Sequence, residues 1–384
     1  MPNAEKMAEL LTNAGGHLLP TPVLAAAGPL TETGEGMAAC AAGGAAAVVA
    51  RTICPLPPPT LPEPHFSDAY GLRGSALNTE LWSPRPVEHW LAVEYPRAAA
   101  AGVPLIVSLG YTAEHVRQLA PLVAPFADAV ELSTQFLADD VRLMAEAVVA
   151  AKAALTVPVW VKLTASGRDV VTWARAAKDA GADAVVAIGA FGPCLAIDAE
   201  CGRVAFSATG GYAWMSGAAI KNIALRCVWD ISRQVGIPVI GCGGVARGTD
   251  VAEYLMAGAS AVQVGTAAVL HGPALFGKIN RELNTWLDTH SFAAVGELIG
   301  YTLRRMQGRR VRHDHLPPLL DVDRCIGCEI CPTSCVYGAL EMVGERRTPG
   351  YKVRLIADRC WGCGLCATRC PTRALAIKGV SLIP

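Results

Sequence analysis

One pattern of cysteines occurs twice near the end of this 384-residue chain, and nothing else in the sequence limits the fold of that region so tightly. Cys325-x2-Cys328-x2-Cys331-x3-Cys335 is followed by Gly338-Ala339-Leu340, and Cys360-x2-Cys363-x2-Cys366-x3-Cys370-Pro371 by Arg373-Ala374-Leu375. Three cysteines at three-residue steps wrap a tight loop around one iron–sulfur cube. The fourth, at the start of a helix, reaches the other cube, so the halves exchange a ligand. The spacing predicts two 4Fe–4S clusters, one on Cys325, Cys328, Cys331 and Cys370, the other on Cys360, Cys363, Cys366 and Cys335. Paired zinc knuckles are the alternative, but zinc sites do not use the third cysteine of such a run. Val336 stands where the second run has proline, which alters a turn and not the ligands.

The chain has fourteen cysteines in all. Cys40, Cys54, Cys194, Cys201, Cys227 and Cys242 sit mostly beside Ala, Gly or Val and read as small buried hydrophobes. At 52% apolar and 17% charged, the composition suits a buried sheet covered by Ala-rich helices and excludes a disordered chain. No apolar run approaches the ~18 residues needed to cross a bilayer, and the start carries no basic-then-apolar signal. A cytoplasmic protein off the membrane is expected, where such cysteine spacing means metal rather than disulfides. A net charge of zero gives no field for nucleic acid. From Leu316 onward nine Lys/Arg face six Asp/Glu, a mild excess that suits a tail packed on the body or meeting an acidic partner.

Single cores stop growing near ~250–300 residues, so one large domain and a small one are expected. Between about residues 20 and 290, eight apolar runs alternate with helical patterns: Val23–Ala27, Ala46–Thr52, Pro104–Leu109, Ala129–Leu132, Pro158–Leu163, Ala184–Ile188, Pro238–Cys242 and Ala261–Gly265. Runs without polar alternation are what strands buried on both faces need. The count predicts an α/β fold, a (β/α)8 TIM barrel over 1–315, followed over 316–384 by a small α+β ferredoxin-like domain with the two clusters. A doubly wound sheet is the alternative, but no G-x-G-x-x-G follows the first strand. The Pro-rich stretch Cys54–Pro64 predicts an extended loop over the barrel mouth, and Phe292–Gln307 a final helix.

Barrel ligands lie at the C-terminal strand ends, with phosphate held after strands 7 and 8. There the chain has Gly243-Gly244 and Gly265-Thr266, whose backbone N–H groups can approach phosphate oxygens. Lys162 ends strand 5; a lysine there faces a ligand or snorkels to the surface.

With Ala26-Ala27-Gly28-Pro29, Ala76-Leu77-Asn78-Thr79-Glu80-Leu81, Val161-Lys162-Leu163, Ser216-Gly217-Ala218-Ala219-Ile220, Gly243-Gly244-Val245 and Gly265-Thr266-Ala267 in order, the barrel resembles the dihydroorotate dehydrogenase family of FMN enzymes. With its tail, the chain is similar to the pyrimidine-reducing, cluster-bearing part of dihydropyrimidine dehydrogenases. The resemblance implies FMN with its phosphate at Gly243, Gly244, Gly265 and Thr266, and Lys162 at the flavin N1/O2 edge. It places Ala26, Ala27, Gly28, Ser216 and Gly217 along the ring, with Arg51, Thr52 and Asn78 nearby.

The departures are as informative. Arg51 stands where the family has lysine. The family's Asn-Leu-Ser-Cys-Pro is here Ser133-Thr134-Gln135-Phe136-Leu137, so Ser133 replaces a substrate-binding Asn and Phe136 the acid/base Cys. Gly189-Ala190 aligns with an Asn-Thr pair, and Trp214 replaces a glycine. The mobile loop after strand 4 is nearly absent. A site that hydrogen-bonds a ring loses ~10⁴-fold or more in selectivity when such partners vanish, so uracil and dihydroorotate are not the expected substrates. Two readings remain. One is an oxidoreductase moving hydride between flavin and an activated C=C/C–C bond of a small substrate, cyclic or thioester, with Ser133, Tyr212, Cys194 or His65 as replacement acid. The other is an electron-transfer subunit, its old cavity filled by Phe136 and Trp214. A structural barrel without flavin is a third. Either redox reading requires a partner, an NAD(P)H-oxidising flavoprotein subunit or a soluble ferredoxin, and an oligomer is expected.

Overall fold

The computed structural model describes residues 8–58, 65–68, 71–206, 210–306 and 316–377. The chain divides into two compact units, Met1–Gln307 and Gly308–Pro384. Residues 59–64 of the Pro-rich stretch and the segment 307–315 lie outside the described residues. None of the fourteen cysteines is joined in a disulfide. Among the described residues no helix is long and apolar enough to cross a membrane.

The first unit is a closed barrel of eight parallel strands, Val23–Ala25, Val48–Val49, Leu105–Leu109, Ala129–Ser133, Val159–Leu163, Ala184–Ala187, Val239–Cys242 and Ala261–Val264. They pair in chain order, and the eighth returns to the first through Val262 opposite Val23. That closure excludes the open sheet. The strands are apolar throughout because both faces are buried: one cluster, with Leu24, Val49, Ile106, Trp160, Val186 and Ile240, fills the barrel, and a larger one lies under the helices. Each such side chain contributes about 1.5–3 kcal/mol on burial. An N-terminal hairpin, Thr12–Ala14 with His17–Leu19, adds Ala14 and Leu19 to the inner cluster. The Trp160 indole donates to its Gly15 carbonyl at 2.9 Å.

Three features differ from the expectations. The final helix is two short ones, Val295–Leu298 and Tyr301–Met306, separated at Gly300, whose φ of 69° breaks the helical path. The helix after strand 4 starts at Val141, where the Asp140 side chain accepts from the Arg142 N–H. The third is an antiparallel sheet that the strand pattern does not announce, ordered Phe191–Leu195, Tyr212–Gly217, Ser75–Asn78, Phe66–Asp68. Its strands come from the segments after the second and sixth barrel strands.

The second unit repeats itself. Leu319–Leu320 pairs with Leu375–Ala376, and Leu340–Val343 with Lys352–Leu355, all antiparallel. The one-turn helices Ile330–Ser334 and Leu365–Arg369 follow left-handed residues, Glu329 and Gly364.

Candidate active site

Side chains alternate across a strand, so every second residue of a barrel strand points inward. One step above the apolar filling, the inward positions turn polar: Ser108, Glu131, Lys162 and Gln263. Lys162 Nζ donates to Gln263 Oε1 at 2.6 Å and lies 3.2 Å from Glu131 Oε1. Gln263 Nε2 donates to Glu131 Oε2 at 2.6 Å, closing the network. Glu131 is fully buried. Burial acts to lower the Lys162 pKa, but Glu131 and then Cys242 outweigh it, so the ammonium is held above its usual range. Thr52 and Ser108 share a hydrogen bond of 2.8 Å beside this layer.

Arg51 occupies the rim. Its guanidinium donates to Glu80 Oε2 at 2.9 Å and to the Leu81 carbonyl at 2.5 Å, and lies 3.7 Å from Glu32. Burial pushes the Glu32 carboxyl up, against the Ser83 hydroxyl and the two arginines, Arg51 and Arg85, that lower it. Among the described residues, Arg51, Glu80, Glu131 and Lys162 are the charged side chains lining the cleft, and they pair with one another.

Glycines open the remaining walls. A Cβ at Gly28 would meet nothing within 4 Å, and one at Gly265 only the Ala26 methyl at 3.5 Å; both residues line the cleft. Gly217 has φ 82°, and a side chain there would strike the Gly74 carbonyl. Ser216 accepts from Thr266 Oγ1 at 2.8 Å. The Gly243–Gly244 turn is held from behind: Tyr254 donates to the Gly243 carbonyl at 2.6 Å, and Asp250 accepts from the N–H groups of Ala246 and Arg247, each at 2.9 Å. Open space against bare backbone at Gly28 and Gly265, with Lys162 on the cleft floor, fits a flat cofactor with a phosphate tail.

The antiparallel sheet forms one side of the mouth, with Asn78 opposite Trp214 and its amide donating to the Trp214 carbonyl at 3.2 Å. Phe136 meets Trp214 edge-on at 5.7 Å and Tyr111 at 5.2 Å, and Trp82 meets Tyr111 at 5.9 Å. Arg168 ties down the short segment after strand 4 through the carbonyls of Thr134, at 3.0 Å, and Leu137, at 2.6 Å.

The predicted cofactor residues Ala26, Ala27, Gly28, Arg51, Thr52, Asn78, Lys162, Ser216, Gly217, Gly243, Gly244, Gly265 and Thr266 all line this one cleft. Of the candidate acids, Ser133 lines it too. Cys194 packs with Leu77, Phe206 and Ala213, Tyr212 is 55% exposed and His65 is exposed; these three do not line the cleft. Tyr111 does, and sequence reasoning missed it, because nothing in a loop residue's spacing shows which way its ring turns.

In the second unit, Cys335, Cys360, Cys363 and Cys366 line one cavity. Burial pushes the Cys366 thiol up, and Cys360, Cys363 and Cys335 add to it. Burial likewise raises Cys331 to about 11, with contributions from Cys325, Cys328 and Cys370. The thiols that raise one another's pKa therefore come from both runs. Among the described residues no three His, Cys, Asp or Glu side chains converge on a single-ion site; in a cube each thiolate meets a different iron, so its ligands need not share one point. Ala339 N–H donates to Cys335 Sγ at 3.3 Å and Ala374 N–H to Cys370 Sγ at 3.2 Å, the same contact in both halves.

The family model described as dihydroorotate dehydrogenase matches residues 9–287, and that of a 4Fe-4S dicluster domain matches 324–374. Among curated proteins, the chain is 36% identical over 294 residues, 73% of this chain, to the catalytic subunit of dihydroorotate dehydrogenase B (NAD(+)) of Methanothermobacter thermautotrophicus, covering 94% of that protein. It is 35% identical over 307 residues to the protein of the same description from Methanocella arvoryzae, covering 77% of this chain and 98% of that one.

Proposed function

The chain belongs to the dihydroorotate dehydrogenase family, and from that premise we propose that it is an FMN- and iron–sulfur-dependent oxidoreductase acting on a CH–CH group of a substrate other than dihydroorotate. FMN would lie on the ring-lining residues Ala26, Ala27, Gly28, Thr52, Asn78, Ser216 and Gly217, with its phosphate at Gly243, Gly244, Gly265 and Thr266. When bound, it supplies hydride transfer to carbon and one-electron exchange, and the two 4Fe–4S clusters carry single electrons. Lys162, kept protonated by Glu131, places a fixed positive charge where negative charge develops, without reorganisation. Gln263 holds both groups in position.

The observation that carries the substrate reading is the pairing of the four charged cleft residues found among the described residues. A carboxylate substrate needs a cation not already committed, and here Arg51 is taken up by Glu80 and Glu32, and Lys162 by Glu131. Ser133, Phe136, Gly189 and Ala190, standing where the family's pyrimidine-reading residues lie, argue the same way. The substrate is therefore a small neutral compound. The likeness to dihydropyrimidine dehydrogenases, on this reading, is one of architecture and not of specificity.

The relatives' description names NAD(+) and a catalytic subunit. For this chain the corresponding redox partner is an NAD(P)H-oxidising flavoprotein subunit or a soluble ferredoxin, in the cytoplasm. The interlocked rings of Trp82, Tyr111, Phe136 and Trp214 favour a second reading, in which the substrate side is closed and the protein relays electrons to another enzyme. The test is anaerobic photoreduction followed by a screen of neutral unsaturated compounds. The enzyme reading expects at least one to reoxidise the flavin, and dihydroorotate to leave oxidised flavin unreduced. Reoxidation by a partner protein alone establishes the relay, and rapid reduction by dihydroorotate overturns the substrate reading.

A further inference from the structure

One buried phenol borders the cleft without a part in holding the flavin. Tyr111 follows the third barrel strand and is 8% exposed. The neighbouring strand ends at Ser133, which lines the same cleft, and the pairing of Leu109 with Leu132 fixes the two strand ends side by side. Trp82 and Phe136 hold the Tyr111 ring edge-on, at 5.9 and 5.2 Å. Burial, with a smaller push from Cys54, raises the phenol pKa against Arg51 and Ser133, so its proton stays in place through neutral pH. An aromatic wall selects flat apolar faces, and among the described residues the charges lining the cleft are already paired.

We propose that Tyr111 is the proton donor in the reduction of a neutral, planar, α,β-unsaturated carbonyl compound, with Ser133 returning a proton to it; this rests on the enzyme reading of the cleft. The carbon–carbon π pair becomes the bond to the proton leaving Tyr111 Oη, at the carbon next to the carbonyl. The carbon beyond it takes hydride from a dihydroflavin, the two-electron reductant. The substrate gains two electrons and two hydrogens, the flavin is oxidised, and the phenolate regains its proton from water through the Ser133 hydroxyl.

The full chain, prepared anaerobically with its cofactors, is first titrated in the oxidised state with cyclohexenone while tryptophan fluorescence is followed. It is then photoreduced and mixed with the same compound while flavin reoxidation is followed. Saturable quenching is expected, because Trp82 and Trp214 pack against the Tyr111 and Phe136 rings that line the cleft, and so is reoxidation. Tyr111→Phe keeps the ring, so quenching should persist within about threefold while reoxidation slows by about 100-fold or more. Ser133→Ala should slow it by about tenfold and serves as the independent arm if Tyr111→Phe does not fold. Reoxidation at the wild-type rate in Tyr111→Phe, or in Ser133→Ala where the first variant does not fold, overturns the assignment and leaves the enzyme reading standing. Neither quenching nor reoxidation in the wild type, with a redox protein still reoxidising the flavin, overturns both.

Discussion

Lys162 owes its charge to Glu131, and the dependence runs both ways. Removing the amine strands a fully buried carboxylate with Gln263 as its remaining partner. Lys162→Met should therefore cost about 3–5 kcal/mol in denaturant unfolding, whereas Lys162→Met with Glu131→Leu should recover most of it; a mild single variant contradicts the network. Because the folded pKa of Lys162 is raised, its contribution is complete below the unfolded value of about 10.4 and is lost only as pH rises through the folded one. Glu94 has the opposite sign. Burial disfavours its charge, but the Gly34 N–H at 2.6 Å, then His89 at 2.7 Å and Arg85, hold the carboxyl below its usual range. Its stability is present above about pH 4.3 and lost as pH falls through the folded value. Glu94→Gln should flatten the acid limb of the stability profile, and an unchanged limb contradicts the pairing. Lys162 was legible in the sequence because a lysine closing an apolar strand has few places to go. Tyr111 was not, since its role depends on side chains from three separate loops.

At the scale of elements, the eight barrel strands could be read because burial on both faces leaves no polar alternation to confuse them with amphipathic helices. The mouth sheet could not. Its strands are short, and Ser75–Asn78 pairs with a segment beginning at Tyr212, a separation that no local pattern encodes. The broken final helix escaped for a related reason: its apolar spacing continues through Gly300, whose backbone does not. The mouth sheet meets the ring-lining residues at Ser216–Gly217, where the chain turns back under the Gly74 carbonyl. Gly217→Ala places a methyl in the left-handed region against that carbonyl, so a loss of more than about 1 kcal/mol is expected, together with weaker retention of flavin on gel filtration. Full stability with full flavin content would contradict this geometry.

For the whole molecule, the cysteine spacing was the strongest single message in the sequence, because each run encodes its own loop and helix. The spacing also predicts the exchange of a ligand between the halves, and the raised thiols of Cys331 and Cys366 group with the crossed partners Cys370 and Cys335. Cys370→Ser should accordingly disturb the cluster of the first run and spare that of the second, seen as loss of one of two electron paramagnetic resonance signals after reduction; loss from the second run contradicts the exchange. The central claim is that one chain carries both a barrel-held flavin and two iron–sulfur cubes. Cofactor analysis of the anaerobically prepared full chain tests it most directly: about eight iron and eight labile sulfide are expected, with FMN released on denaturation, while zinc in place of iron, or no flavin in the supernatant, would contradict it.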